Sequence, residues 1–195
     1  TKIIPEEIPT DDERAFALMR SGNMDGLFQV EGALYVSLFA RLPPHRFADI
    51  VASIALNRPG PLESGMVDDY VKGASGKTPV HYYDKLRKAM GKKKLDVMRA
   101  LQEDWNNGAV ENGYPLEIAK QIWEDAEKFA KYAFNKSHSA AYAILVMRTA
   151  YLKAIYPNEF MAAVLSSYMG NTDRLIKYIA SCNHNGTPVL PPEIN

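Results

Sequence analysis

The sequence predicts a mainly α fold, built from many helices with little sheet. Three observations predict it. Apolar residues recur at helical spacing in several separate segments. Capping residues, glycines and prolines punctuate those segments. Alternating polar and apolar runs, the mark of half-buried strands, are scarce. The chain has 195 residues and 47% apolar content, enough to bury a real core in one large or two small domains.

Thr10-Asp11-Asp12-Glu13 has the spacing of a capping box, so a helix is predicted after it, ending near Ser21-Gly22. The adjacent acids Asp11 and Asp12 suit the first turn of that helix better than a metal site. Residues 26–30 read as a short extended piece. Phe47, Ile50, Val51, Ile54 and Ala55 predict an amphipathic helix that stops before Arg58-Pro59-Gly60-Pro61, where proline cannot continue the ladder. Residues 62–71 read as helical again, and 72–79 as a loop rich in Gly, Ser and Pro. Residues 96–106 predict a helix ending near Asn107-Gly108. After a turn at Asn112-Gly113, Pro115 opens another helix. That helix places Ile118, Ile122, Trp123, Ala126, Phe129 and Ala130 on a core face, with Glu124, Asp125 and Glu127 largely opposite. Residues 140–155 predict a buried helix, Pro157 breaks it, and residues 158–168 follow. Asn171-Thr172 caps a final helix through Ile179, Gly186 is a plausible stop, and Pro188, Pro191 and Pro192 extend the tail.

The chain has 23 basic and 23 acidic residues, so its total charge carries no footprint for nucleic acid. The distribution is uneven. Residues 1–84 hold 8 basic and 12 acidic side chains, and residues 85–195 hold 15 and 11. The second half is therefore the basic one, the side that would face a phosphate partner. Cys182 is the single cysteine, which excludes an intrachain disulfide and a cysteine zinc site and fits a reducing cytoplasm. No secretory leader is visible at Thr1. The longest apolar stretch, 140–155, carries Arg148 and Lys153 and falls short of a membrane span.

Two segments carry the chemistry. Asn135, Lys136, Ser137 and His138 stand directly before the apolar run at 140–155. A helix N-terminus has free N–H groups and a partial positive charge, so it suits an anion such as phosphate. On this segment alone, an ordinary polar cap on a buried helix is the favoured reading, because polar caps are common. The second segment, residues 85–94, holds Lys85, Arg87, Lys88, Lys92, Lys93 and Lys94 and no acid.

Together these segments closely resemble the fingers of bacterial replicative DNA polymerases of the C family, the DNA polymerase III alpha family. The matching residues are Arg87-Lys88-Ala89-Met90-Gly91-Lys92-Lys93 and the run from Phe134 to Ala143. Further matches are Arg58-Pro59-Gly60-Pro61-Leu62, Ser64-Gly65-Met66-Val67-Asp68-Asp69, Tyr156-Pro157 with Glu159-Phe160-Met161, and Leu190-Pro191-Pro192-Glu193-Ile194-Asn195. They occur in the family's order and span almost the whole chain. The chain departs from the family at Asp84-Lys85, where members carry a few dozen more residues. That junction divides an N-terminal half, 1–84, from the basic half, 85–195. Two smaller departures are residues 31–36 and Lys88, where many members have arginine, whose fork grips phosphate oxygens better.

The resemblance implies a multi-helix fingers domain from a DNA-directed DNA polymerase of chromosomal replication, a nucleotidyltransferase. It implies that the catalytic aspartates and the Mg2+ ions they hold belong to a palm domain outside this chain. The fragment alone is then expected to be inactive and to bind no metal. The expected partners are deoxynucleoside triphosphates, primer-template DNA and, through regions outside this chain, other replicase subunits including the sliding clamp. Arg87 and Lys88 are expected to clamp the triphosphate, where transition-state charge builds. Asn135, Lys136, Ser137 and His138 would line the same pocket, the Asn and Ser meeting sugar or base edges, the Lys and His meeting phosphate. Tyr142 would pack beneath a base or sugar, or simply in the core. Lys92 and Lys93 would extend the clamp or touch template phosphate, whereas Lys94 reads as solvated. Arg58 would touch nucleic acid or brace its loop. Asp68-Asp69, Glu103-Asp104 and Glu124-Asp125 read as helix-surface acids. The competing function is a non-catalytic helical module that binds nucleic acid by its basic half, or a protein-interaction domain.

Overall fold

The computed structural model describes residues 3–63, 67–68, 70–71, 95–132 and 135–191. The fold is helical, and there is no strand among the described residues. After a single 3-10 turn at Pro5–Glu7 come α1 (Glu13–Arg20), α2 (Ala33–Arg41), α3 (Phe47–Leu56), α4 (Pro59–Glu63), α5 (Leu95–Ala100), α6 (Gln102–Glu111), α7 (Leu116–Tyr132), α8 (Lys136–Ile155), α9 (Pro157–Ser167) and α10 (Thr172–His184). The chain forms two compact units, one of residues 1–54 with 137–195 and one of residues 55–136.

In the first unit, α1 is capped by Asp12 rather than by Thr10. The Asp12 carboxylate accepts the Arg14 N–H at 2.9 Å and pairs with the Arg14 guanidinium at 2.8 Å. Asp12 therefore serves as the cap, just outside the first turn where the sequence reading put the acids, and the first-turn acid is Glu13. Helix α2 carries no side-chain cap at Gly32 and was not marked by the sequence pattern. It forms because Tyr35, Leu38 and Phe39 bury a stripe of one face. Asp49 in the first turn of α3 accepts the main-chain N–H groups of His45 and Arg46, satisfying donors the helix end leaves free.

The core of this unit gathers Phe16 and Met19 from α1, Met24, Leu27 and Val30 from the following loop, Ile50 and Ile54 from α3, and Val146 and Met147 from α8. Residues Ser139, Ala143, Val146, Met147, Ala150 and Lys153 are the buried positions of α8. Their spacing of three and four runs one stripe along the helix. A smaller cluster joins Met161 of α9 to Tyr178 and Cys182 of α10. As the sequence predicts, Asn171 caps α10, accepting the Arg174 N–H at 3.0 Å. The helix runs five residues beyond Ile179, to His184.

Residues 26–30 are turns, not the extended piece the sequence suggested. Gly26 has φ +80°, and a Cβ there would stand 3.2 Å from Val164 Cγ2 and 3.3 Å from Phe160 Cε1. Both the backbone and the close approach to α9 require glycine.

In the second unit, α5, α6 and α7 pack around Met98 and Trp123. Trp105 donates its indole N–H to the Ala119 carbonyl at 2.9 Å, and its ring lies 6.1 Å from that of Trp123. The predicted stop near Asn107-Gly108 is overridden, and α6 continues to Glu111. One glycine inside a helix costs only about 1 kcal/mol. Helix α3 stops at Leu56, before Arg58-Pro59 as the sequence predicts, and Pro59 and Pro61 then open α4, since proline fits a helix's first turn. Trp123 is buried as predicted, but Ile118 and Ile122 are half-exposed at 52% and 45%. They face a groove rather than the core. The side chains of Phe129 and Ala130 lie outside the described residues.

Candidate functional site

The start of α8 holds the sequence-predicted residues Asn135, Lys136, Ser137, His138 and Tyr142. Asn135 directly precedes the helix, and Lys136, Ser137 and His138 are exposed in its first turn. The sequence placed these residues in front of the helix, but three of them ride on it. No acid occupies this turn. The helix dipole and the Lys136 charge have the same sign there, and the first N–H groups of a helix lack intrahelical acceptors. This end of α8 is therefore suited to an anion.

His138 and Tyr142 sit four residues apart on one face of α8. Their ring centroids are 4.2 Å apart and the planes meet at 29°, a stacked pair. Tyr142 is half-buried and packs against the main core. Its second ring contact is Phe28, at 5.3 Å and 53°. Tyr142 thus shows the core packing that was one of its two readings, and its ring also stacks on the exposed His138 imidazole.

Phe28 is held by its backbone as well. Its N–H donates to Thr149 Oγ1 at 3.2 Å, and that hydroxyl lies 3.0 Å from the carbonyl oxygens of Leu145 and Val146. The next residue, Gln29, has φ +64°, and the Val30 N–H donates to the Phe28 carbonyl at 2.7 Å. A bond spanning three residues about a positive φ is a γ-turn of the rare, strained kind.

Charged groups lock the rest of this loop. Glu31 accepts from the Gly26 N–H at 3.0 Å, the Tyr178 hydroxyl at 2.8 Å and Arg174 at 3.0 Å. Burial pushes the Glu31 carboxyl upward, but these donors outweigh it and hold its pKa below the ordinary value. Tyr178 is driven up, first by burial and then by its bond to Glu31. Asp25 pairs with Lys177 at 2.8 Å. The buried ammonium of Lys153 donates to Asn23 O at 3.2 Å, Asn23 Oδ1 at 2.7 Å and Asp25 O at 2.7 Å. Burial lowers its pKa to about 8. Sequence reasoning treated Lys153 only as an interruption of the apolar run and found no role for Phe28, Thr149 or Glu31. Their partners lie more than a hundred residues away, so no local spacing marks them.

Two hollows accompany these features. A cavity of about 190 Å³ lies beside Lys153, lined also by Asn23, Ser181, Cys182 and Asn185. Its only cation already spends its donors on three oxygens. In the second unit, an open groove of about 480 Å³ is lined by Trp105, Tyr114, Ile118 and Ile122, with Asp104 at its margin.

Arg58 lies half-buried in the turn between α3 and α4, where its carbonyl accepts the Leu62 N–H at 3.0 Å. Arg87, Lys88, Lys92, Lys93 and Lys94 lie outside the described residues, as does Asp69. Glu103, Asp104, Glu124 and Asp125 are exposed on helices. Among the described residues, no three His, Cys, Asp or Glu side chains are grouped to hold a metal ion. No described helix is long and apolar enough to cross a membrane.

Residues 1–85 match the family model of the bacterial DNA polymerase III alpha subunit finger domain. The chain is 40% identical over 229 residues to the DNA polymerase III subunit alpha of Campylobacter jejuni, covering 99% of this chain and 19% of that protein. It is 40% identical over 225 residues to that of Aquifex aeolicus, covering 97% and 19%. It is 36% identical over 229 residues to that of Escherichia coli, covering 96% and 20%. The chain therefore spans about a fifth of the length of these curated relatives. The alignments run to 229 positions against a chain of 195, so a few dozen residues of the relatives have no counterpart here.

Proposed function

Because this chain belongs to the bacterial DNA polymerase III alpha subunit family, as a fragment of its fingers region, we propose that its task is to bind the incoming deoxynucleoside triphosphate and help position template DNA. The parent protein is then a DNA-directed DNA polymerase of chromosomal replication, working in the cytoplasm on primer-template DNA with other replicase subunits, the sliding clamp among them.

The observation that carries this reading is the first turn of α8. It combines the positive end of the helix dipole, the Lys136 ammonium, a first turn without an acid and the His138–Tyr142 stack. The cationic end suits the triphosphate, and the ring pair suits the sugar or base. Asn135 and Ser137 add neutral groups that can both donate and accept. By the family resemblance alone, Arg87 and Lys88 are assigned to the triphosphate as well, and Lys92, Lys93 and Arg58 to nucleic acid. Such fixed positive groups act where charge builds on the transferring phosphoryl.

The Mg2+ ions and the carboxylates that hold them belong to the palm, outside this chain. The purified chain alone should give no primer extension with magnesium and four deoxynucleotides. Template-dependent product from contaminant-free chain would contradict this division of labour. In the intact subunit, Lys136→Ala should raise the nucleotide requirement without a matching loss of DNA affinity.

A further inference from the structure

The hairpin of α6 and α7 presents a surface that the nucleotide reading does not use. Its groove of about 480 Å³ is lined by Trp105, Tyr114, Ile118 and Ile122, the last three of them exposed. The hairpin itself fixes the groove. Trp105 donates its indole N–H to the Ala119 carbonyl at 2.9 Å, and both residues are part of the lining. Ile118 and Ile122 stand four residues apart on α7, so their side chains form a row along one face. Large apolar side chains grouped in a preformed groove mark an interaction surface, whereas scattered ones do not.

Charge decides what the groove takes. The hairpin lies in the half of the chain that is basic overall, yet residues 102–125 are strongly acidic. They hold six exposed acids, Glu103, Asp104, Glu111, Glu117, Glu124 and Asp125, against one lysine. That lysine, Lys120, already pairs with Glu117 at 3.5 Å. Asp104 lines the groove and has no ion-pair partner among the described residues. An acidic surface repels a phosphate backbone and attracts a basic protein segment. An amphipathic helix with an aliphatic stripe and lysines or arginines beside it satisfies the groove and the charge together.

We propose that the α6–α7 hairpin is a docking site for a basic amphipathic helix of a partner protein. The row of Ile118 and Ile122 seats the aliphatic stripe, and Asp104 meets a cation at its edge. The site takes protein and not nucleic acid, and it stands independently of the nucleotide reading of α8.

The test uses an intact alpha subunit carrying this segment and two fluorescent helical peptides, with binding read by anisotropy. Both peptides have leucines at i, i+3, i+4 and i+7; one carries lysines on its other faces and the other glutamates. The lysine peptide should bind and the glutamate peptide should not. Ile118→Gln combined with Ile122→Gln should weaken the lysine peptide about tenfold or more, the loss expected for central apolar anchors. Asp104→Lys should weaken it severalfold. All three side chains are exposed, so thermal midpoint, DNA affinity and nucleotide kcat/KM should stay close to wild type. Four results would each overturn the proposal. The intact subunit takes neither peptide, which means that its other parts cover the groove. The two peptides bind equally, so charge selects nothing. Lysine-peptide binding survives the double isoleucine change, so it lies elsewhere. The variants lose DNA affinity, which makes the hairpin a nucleic-acid contact.

Discussion

His138 lies on Tyr142 with ring centroids 4.2 Å apart, and Tyr142 in turn meets Phe28 at 5.3 Å. One exposed ring is thereby coupled through a half-buried one to a loop that is 114 residues away in sequence. In the intact subunit, Tyr142→Phe should leave both stability and nucleotide use near wild type, because the stack is kept. Tyr142→Ala should cost about 1–3 kcal/mol of stability and also impair nucleotide kcat/KM. His138→Ala should impair nucleotide use without that loss of stability. Thermal melts and steady-state kinetics on the three variants separate these outcomes.

Glu31 gives the fold an acid-sensitive clamp. Its folded pKa is depressed by Tyr178, the Gly26 N–H and the nearby cations. A depressed carboxyl stabilises the fold above its unfolded pKa, and that contribution is lost as pH falls through the folded value. Glu31→Gln should therefore flatten the acid side of the stability–pH curve while lowering stability near neutrality. Denaturant melts between pH 3 and about 7 check both parts.

Lys153 should prove a structural cation. Lys153→Met keeps the packing volume but strands Asn23 O, Asn23 Oδ1 and Asp25 O. The expected loss is about 2–4 kcal/mol. A melt of the variant within 0.5 kcal/mol of wild type, roughly the spread of neutral surface changes, would show that the loop holds without this anchor.

Arg87→Ala in an intact polymerase should impair nucleotide use more than DNA binding. A lost charge-assisted phosphate contact costs roughly 1.5–3 kcal/mol, about a tenfold to hundredfold fall in kcat/KM. Arg87→Lys should recover only part, since an ammonium lacks the two-pronged grip. Lys94→Ala should change little. Kinetics at saturating DNA test the ranking. Arg87→Ala within twofold of wild type in nucleotide kcat/KM, with weakened DNA binding, would make Arg87 a template contact.

Much of the architecture was legible locally. The Asn171 cap, the Pro157 break and the burial of Trp123 are written in nearby residues, and they behave as read. Helix α2 was not legible, because it starts at Gly32 without a polar cap and its apolar residues do not alternate cleanly between faces. The turns at 26–30 are not legible as such, because Gly26 meets Val164 and Phe160 far along the chain and Gln29 takes a positive φ that its residue type does not announce. The α8 site divides the same way. The polar run from Asn135 to His138 is visible in sequence, whereas Phe28 reaches Tyr142 and Thr149 of α8 only through contacts across the fold. Ile118 and Ile122 carry the opposite lesson, since helical periodicity put them inward and the hairpin of α6 and α7 leaves them open.

The central claim is that the first turn of α8 holds the triphosphate, and Lys136 tests it most directly. The measurement is nucleotide kcat/KM at saturating primer-template, alongside the DNA dissociation constant, for Lys136→Ala in an intact alpha subunit carrying this segment. A lost charge-assisted contact predicts roughly a tenfold or greater fall in kcat/KM, DNA affinity within twofold, and substantial rescue by Lys136→Arg. Nucleotide kcat/KM within twofold of wild type, with tenfold weaker DNA binding, would contradict the account and make this helix end a contact for template phosphate.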